Sequence, residues 1–173
     1  MGFYPAIVSF FKKYIDFDGR SSRSEFWWVY LAVLLVDLTL SLPELIFEPS
    51  ISRDGFLGIV RVLFGLGVLI PYIAVTVRRF HDVDYSGWWA LGFPLLSVLC
   101  VVVFAFVADL FGVENPTFIT IIFSLGAAPM IFSIYLWAKK GDEGENRFGS
   151  DPLITVEDSE DSEDSEDSED SED

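Results

Sequence analysis

Long apolar runs alternate with short charged stretches along the chain, and four runs reach the roughly 20 residues a helix needs to cross a bilayer. They cover residues 26–47, 56–77, 88–108 and 117–138. Backbone amides and carbonyls in lipid must find partners within the protein. Runs of this length lack period-two alternation and exceed barrel strands, so they predict helices. Before the first run, Phe3, Ile7, Phe10, Phe11 and Tyr14 recur at helical spacing beside Lys12 and Lys13. That pattern predicts a short amphipathic helix on the membrane surface. Gly19 permits a turn, and Ser22 with Glu25 has capping-box spacing, so the first span starts near Ser22. Each run holds one proline (Pro43, Pro71, Pro94, Pro129), read as packing kinks. Gly58 and Gly65, seven apart, predict a face open to close helix approach.

The basic residues give these spans a direction. Lys12, Lys13, Arg20 and Arg23 precede the first run, Arg78 and Arg79 follow the second, and Lys139, Lys140 and Arg147 follow the fourth. Arg53 alone falls in an opposite loop, and Arg61 lies within a run. The positive-inside rule therefore predicts both ends in the cytoplasm. All five tryptophans (Trp27, Trp28, Trp88, Trp89, Trp137) sit at the same span ends, as an interfacial belt would require. The expected fold is an all-α membrane protein: a four-helix transmembrane bundle, N-in/C-in, with a short N-terminal interfacial helix. Its organisation reads as a cytoplasmic amphipathic segment at 1–24, the spans within 25–140, a cytoplasmic segment at 141–156 and a disordered acidic tail at 157–173.

Composition changes this picture in one respect. The net charge of −16 belongs mostly to the Glu-Asp-Ser repeat of 157–173, which carries twelve of the 27 acidic residues and no basic one. Without it, 15 acidic residues face 11 basic ones. No basic stripe suited to nucleic acid exists, which excludes that partner class. A lone Cys100 in an apolar run forms neither an internal disulfide nor a metal cluster. The first residues lack a basic n-region and a cleavage motif, so no signal peptide is expected.

Two sets of polar residues are candidates for function. The first lies at membrane depth: Asp37 near the middle of the first span, Glu44 near its outer end, and Arg61 level with residues 41–42. Arg61 can snorkel out toward Glu44 or reach in toward Asp37. An unpaired charge there costs at least about 2.5–3.5 kcal/mol, so pairing or protonation is expected. The second set lies at the basic span ends. Arg20, Arg23 and Glu25 precede the first span, Arg78, Arg79, His81 and Asp82 follow the second, and Asn146 follows the fourth.

These motifs carry a resemblance. Phe-x-Gly-Arg-x-x-Arg-x-Glu-Phe-Trp at 17–27, Arg-Arg-x-His-Asp and Ser-Gly-Trp-Trp within 78–89, and Gly-x-x-Gly-x-Asn-x-Phe-Gly-x-Asp-Pro at 141–152 are similar to the bacterial inner-membrane family catalogued as domain of unknown function 805. The resemblance implies an integral inner-membrane location, multi-pass, and no assigned activity. The family usually has glycine where this chain has Asp84.

The sequence holds no phosphate-binding glycine loop leading out of a strand, no nucleophile elbow and no zinc spacing. No catalytic residue, metal or cofactor is therefore expected, and the chain reads as a non-enzyme. Guanidinium groups beside indoles suit anionic lipid headgroups, while Arg20, Arg23, Glu25 and Asp82 equally suit pairing among themselves. The leading expectation is a scaffold or assembly factor whose cytoplasmic face binds lipid or protein. A small channel or transporter using Asp37 and Arg61, as a homo-oligomer, stands second. A lipid-headgroup enzyme using His81 and Asp82 stands third.

Overall fold

The computed structural model describes residues 1–46, 56–112 and 115–154. The acidic tail and Arg53 lie outside the described residues, as does the side chain of Glu44. Five helices make up the described chain: α1 Phe3–Lys12, α2 Arg23–Ile46, α3 Phe56–Asp82, α4 Trp89–Leu110 and α5 Pro116–Ala138. An isolated bridge between Asn146 and Gly149 is the nearest approach to a strand among the described residues.

Local chemistry explains the ends of these helices. Gly19 takes φ +77° and turns the chain ahead of α2. The Ser22 hydroxyl then accepts from the Glu25 amide at 3.3 Å, which caps α2. Only half of the predicted capping box forms. The Glu25 carboxylate instead accepts from the Ser9 hydroxyl at 2.7 Å, because α1 packs alongside. The α3 helix continues five residues past the expected 77, carrying the Arg-Arg-x-His-Asp motif on helix rather than on a loop. It ends in a Schellman motif: Tyr85 N–H donates to Phe80 C=O at 2.9 Å and Asp84 N–H to His81 C=O at 3.1 Å. Asp84 occupies the left-handed position of that motif at φ +60°. A glycine there would be free of Cβ strain.

α1 forms as expected, but α2 and α3 hold it. Ala6 and Phe10 are buried, and the Tyr14 hydroxyl donates to the Gly67 carbonyl of α3. The buried apolar cluster lies at one end of the long helices, joining Phe26 and Val29 of α2, Val75 and Phe80 of α3, Phe93 of α4 and Leu136 of α5. This is also the end where the sequence motifs gather, and it is called the motif end below. Trp137 belongs to this core, 5.1 Å from the Phe26 ring, so it is no part of an exposed aromatic belt. The other four tryptophans are exposed at this end, Trp88 most of all.

Away from the motif end, side chains such as Leu63, Leu66, Val98 and Leu99 point outward. Hydroxyls on these helices turn back to their own backbone, as Ser133 does to the Pro129 carbonyl at 3.1 Å and Thr39 does to that of Leu35 at 2.7 Å. Pro71, Pro94 and Pro129 all sit inside continuous helices. Among the described residues, three helices are long and apolar enough to cross a membrane, namely α2 over Arg23–Leu42, α3 and α4. The apolar stretch described in α5, Ser124–Ala138, is shorter. α4 and α5 pack closely at Gly126, where any side chain would collide with Val101. Gly65 has nothing within 4 Å of a built side chain among the described residues.

Candidate functional site

The motif end is built around the Asp82 carboxylate. Arg20 donates through Nε to Oδ1 at 3.1 Å, and its Nη2 lies 3.0 Å from the same oxygen. Arg79, one turn earlier on α3, donates through Nη1 to Oδ2. The Arg20, Arg79 and Asp82 side chains are 1%, 0% and 5% exposed. Two guanidinium groups around one carboxylate leave a charge to spread, and the chain spreads it over backbone carbonyls. Arg79 also donates to the carbonyls of Trp137, at 3.0 Å, and Lys139. These carbonyls close α5, where the helix dipole is negative and acceptors are otherwise unpaired. Arg20 reaches the carbonyls of Asp142, Gly144 and, at 3.4 Å, Gly149. A planar fork with five donors suits this task, and a lysine would not.

Three further contacts lock the C-terminal segment in place. The Asp142 amide donates to the Asp82 carbonyl at 2.8 Å. Asn146 donates through Nδ2 to the His81 carbonyl at 2.9 Å, while its Oδ1 accepts from the Phe148 amide at 2.9 Å. The His81 ring lies flat on Phe148, centroids 3.9 Å apart, with Nδ1 3.1 Å from the Gly19 carbonyl. A carbonyl only accepts, so Nδ1 carries the proton in that bond. Gly141 and Gly87 make the packing possible. A side chain at Gly141 would enter the Asp82 carboxylate, and one at Gly87 would meet Val77 and sit 2.9 Å from His81 Nε2.

Arg78 faces the other way, toward α1. It is fully buried and donates to the carbonyls of Lys13, at 3.2 Å, and Asp16. Its Nη2 lies 3.8 Å from the Glu25 carboxylate. Nε and Nη2 of Arg78 make no hydrogen bond among the described residues. At the periphery, Arg147 donates to Asp84 at 2.8 Å, and Lys140 pairs with Glu143, holding that exposed carboxyl below its ordinary range through the hydrogen bond.

Of the eight expected motif residues, seven therefore turn inward: Arg20, Glu25, Arg78, Arg79, His81, Asp82 and Asn146. Arg23 alone is exposed, and it makes no hydrogen bond or ion pair among the described residues. It lines a cleft of about 460 Å³ with Ser22, Ser24, Trp27, Ala138 and Leu153. Lys139 and Lys140 are exposed nearby in sequence. The sequence reading did not find the carbonyl acceptors, Ser9, or the buried Trp137. Backbone acceptors carry no residue-type signal, and Ser9 is ordinary outside its fold. No group of three or more His, Cys, Asp or Glu converges on a metal-sized space among the described residues.

The membrane-depth set forms a separate feature. Arg61 donates to Asp37 through Nε at 3.0 Å and Nη2 at 3.3 Å, in two parallel bonds. It thus reaches inward to Asp37. The Arg61 and Asp37 side chains remain 36% and 46% exposed.

Residues 14–150 match the family described as Protein of unknown function (DUF805). Inner membrane protein YhaH of Escherichia coli (strain K12) is 32% identical over 145 residues, spanning 83% of this chain and 92% of the relative. Inner membrane protein YhaI of the same strain is 27% identical over 147 residues, spanning 84% and 92%. The uncharacterized protein YiiR of that strain is 33% identical over 140 residues, spanning 79% and 85%. No solved structure matches.

Proposed function

We propose that this chain, which belongs to the DUF805 family of unknown function, is a four-span inner-membrane scaffold or assembly factor with a cytoplasmic platform. α5, 23 residues long, is read as the fourth span, which leaves both ends in the cytoplasm with the basic residues. The observation that carries this reading is the use of the arginines. The donors of Arg20 and Arg79 go to Asp82 and to backbone carbonyls of the C-terminal segment. A carboxylate and two guanidinium groups so engaged are a clasp between chain segments, poorly placed for acid–base work or for gripping a substrate. Asp82 is held on both oxygens, so it is no general base, and the His81 ring is pinned between Gly19 and Phe148. The reading is therefore non-enzymatic.

What the clasp leaves outward is a cationic rim. Arg23 is exposed beside Trp27, and Lys139 and Lys140 are exposed just past Ala138 of the same cleft, at the depth where indoles and anionic headgroups meet. The platform docks anionic lipid there and presents its rigid loops to a membrane-protein partner. The two-bond pairing of Asp37 with Arg61 favours a lock between α2 and α3 over an ion path.

Purification in native-lipid nanodiscs with in-membrane cross-linking tests the platform. Wild type should retain anionic lipid and cross-link to a partner through the motif end, and Arg23→Gln/Lys139→Gln should lose most of that lipid. Lipid retention unchanged by the double substitution, with no cross-linked partner, would sink the scaffold reading. Reporter fusions after residue 173 and within 47–55 test the sidedness: only the first should be cytoplasmic.

A further inference from the structure

One cleft at the motif end lies outside the clasp. It holds about 400 Å³ between the turn before Gly19, the last turns of α3 and the start of α4. Its polar side chains are Asp18, Ser86 and His81. Nδ1 of His81 donates to the Gly19 carbonyl at 3.1 Å, so Nε2 of the uncharged ring is an acceptor. That edge lies against Gly87, which lines the cleft, and a side chain at 87 would sit 2.9 Å from Nε2. Among the described residues, His81 Nε2 and the Asp18 and Ser86 side chains make no hydrogen bond. No Lys or Arg lines the cleft, and Arg147, which lies over the Phe148 ring that stacks on His81, is held by Asp84. The first amides of α4 are also spoken for, since Trp89 and Ala90 donate to the Ser86 and Gly87 carbonyls at 3.1 and 3.0 Å. Three acceptors, one of them a carboxylate, and no lining cation suit a positively charged donor. The rest of the lining is largely apolar. Ile73 and Val77 lie below His81 on α3, Ile73 about 12 Å along the helix, and Leu91 lies on α4.

We propose that this cleft binds the primary ammonium headgroup of an aminophospholipid. The ammonium has three N–H donors, and His81 Nε2, Asp18 and Ser86 are their acceptors. The glycerol end and upper acyl chain cover Ile73, Val77 and Leu91, and the phosphate stays in water. Trp88 lines the same cleft and is 82% exposed, which places an indole face within reach of the cation. A soluble amine would leave the apolar wall uncovered, which is why the occupant is a lipid. The site shares no residue with the Arg23 cleft and is independent of the cationic rim.

The chain has one histidine, so histidine labelled with ¹⁵N reports Nδ1 and Nε2 of His81 alone. The full-length protein, purified through a histidine-free tag in mild detergent, is titrated with dihexanoyl-phosphatidylethanolamine. Nε2 should shift saturably while Nδ1 stays on Gly19. Dihexanoyl-phosphatidylcholine, whose quaternary nitrogen has no N–H, should leave Nε2 in place. Asp18→Asn should weaken the phosphatidylethanolamine titration about tenfold, the loss of one charge-assisted bond. If that substitution moves Nδ1, Ser86→Ala replaces it and should weaken binding by about fivefold, the loss of one neutral bond. Equal response to the two lipids, a silent Nε2, or affinity unchanged by the substitution overturns the proposal. A full response to glycerophosphoethanolamine at the same concentrations also overturns it, because a soluble amine would then be the occupant.

Discussion

The motif end and the membrane-depth pair are built from the same bond and put it to opposite uses. Arg20–Asp82 and Arg61–Asp37 are both 3.0 Å contacts. In the first, the side chains are 1% and 5% exposed, and spare donors reach carbonyls more than 120 residues away in sequence. In the second, the partners lie on neighbouring helices and more than a third of each side chain faces out. The difference teaches that burial by protein, rather than by membrane, is what turns an arginine into a clasp. Arg20 and Arg79, surrounded by their own chain, donate to it from every nitrogen of the fork.

Removing a buried carboxylate should give the largest effect. Asp82→Ala leaves Arg20 and Arg79 buried without a counter-charge, a change that costs about 3–5 kcal/mol in comparable pairs. Thermal unfolding in mild detergent should fall steeply, and limited proteolysis should open the 141–154 segment first. A variant melting like wild type would erase the contrast between the two regions. Gly141→Ala should follow, because its Cβ enters the Asp82 carboxylate, with overpacking costs of about 1–3 kcal/mol.

Asp37→Asn should cost less in monomeric detergent, about 1 kcal/mol, since hydrogen bonds between membrane helices average about 0.6 and reach about 1.7 kcal/mol. The same melting assay reports it. A loss equal to that of Asp82→Ala would mean the pair is a clasp after all. Smallest of all, Asp84→Gly exchanges left-handed backbone strain against an exposed ion pair with Arg147. Stability should stay within about 0.5 kcal/mol of wild type in chemical or thermal unfolding. A large loss would show that the Arg147 contact belongs to the knot and not to its periphery.

Much of this was legible before any coordinates. The runs of apolar residues predict α2, α3 and α4 closely, because a helix satisfies its backbone within one segment and needs only local information. The turn at Gly19, the cap at Ser22 and the gathering of three distant motifs at one end were legible for the same reason. The sequence offered Arg61 two partners, Glu44 and Asp37, from residue counts alone, and the structure shows its bonds to Asp37. It misjudged Trp137, which looks interfacial by position and packs against Phe26. It did not mark Gly126, Gly87 and Gly141 as the close approaches, because a glycine's neighbours are set by packing and not by its own residue type.

The sequence by itself determined that this protein is helical, belongs in a membrane and carries five of its seven arginines at one end. Only the tertiary structure decided that seven of eight motif residues turn inward while Arg23 turns out. It alone chose carbonyls of Trp137, Lys139, Asp142 and Gly144 as the acceptors that knit the ends together. The physical reason is range. Helix formation and membrane partition are summed over neighbouring residues, whereas a guanidinium selects whichever oxygens the packed segments bring within about 3 Å.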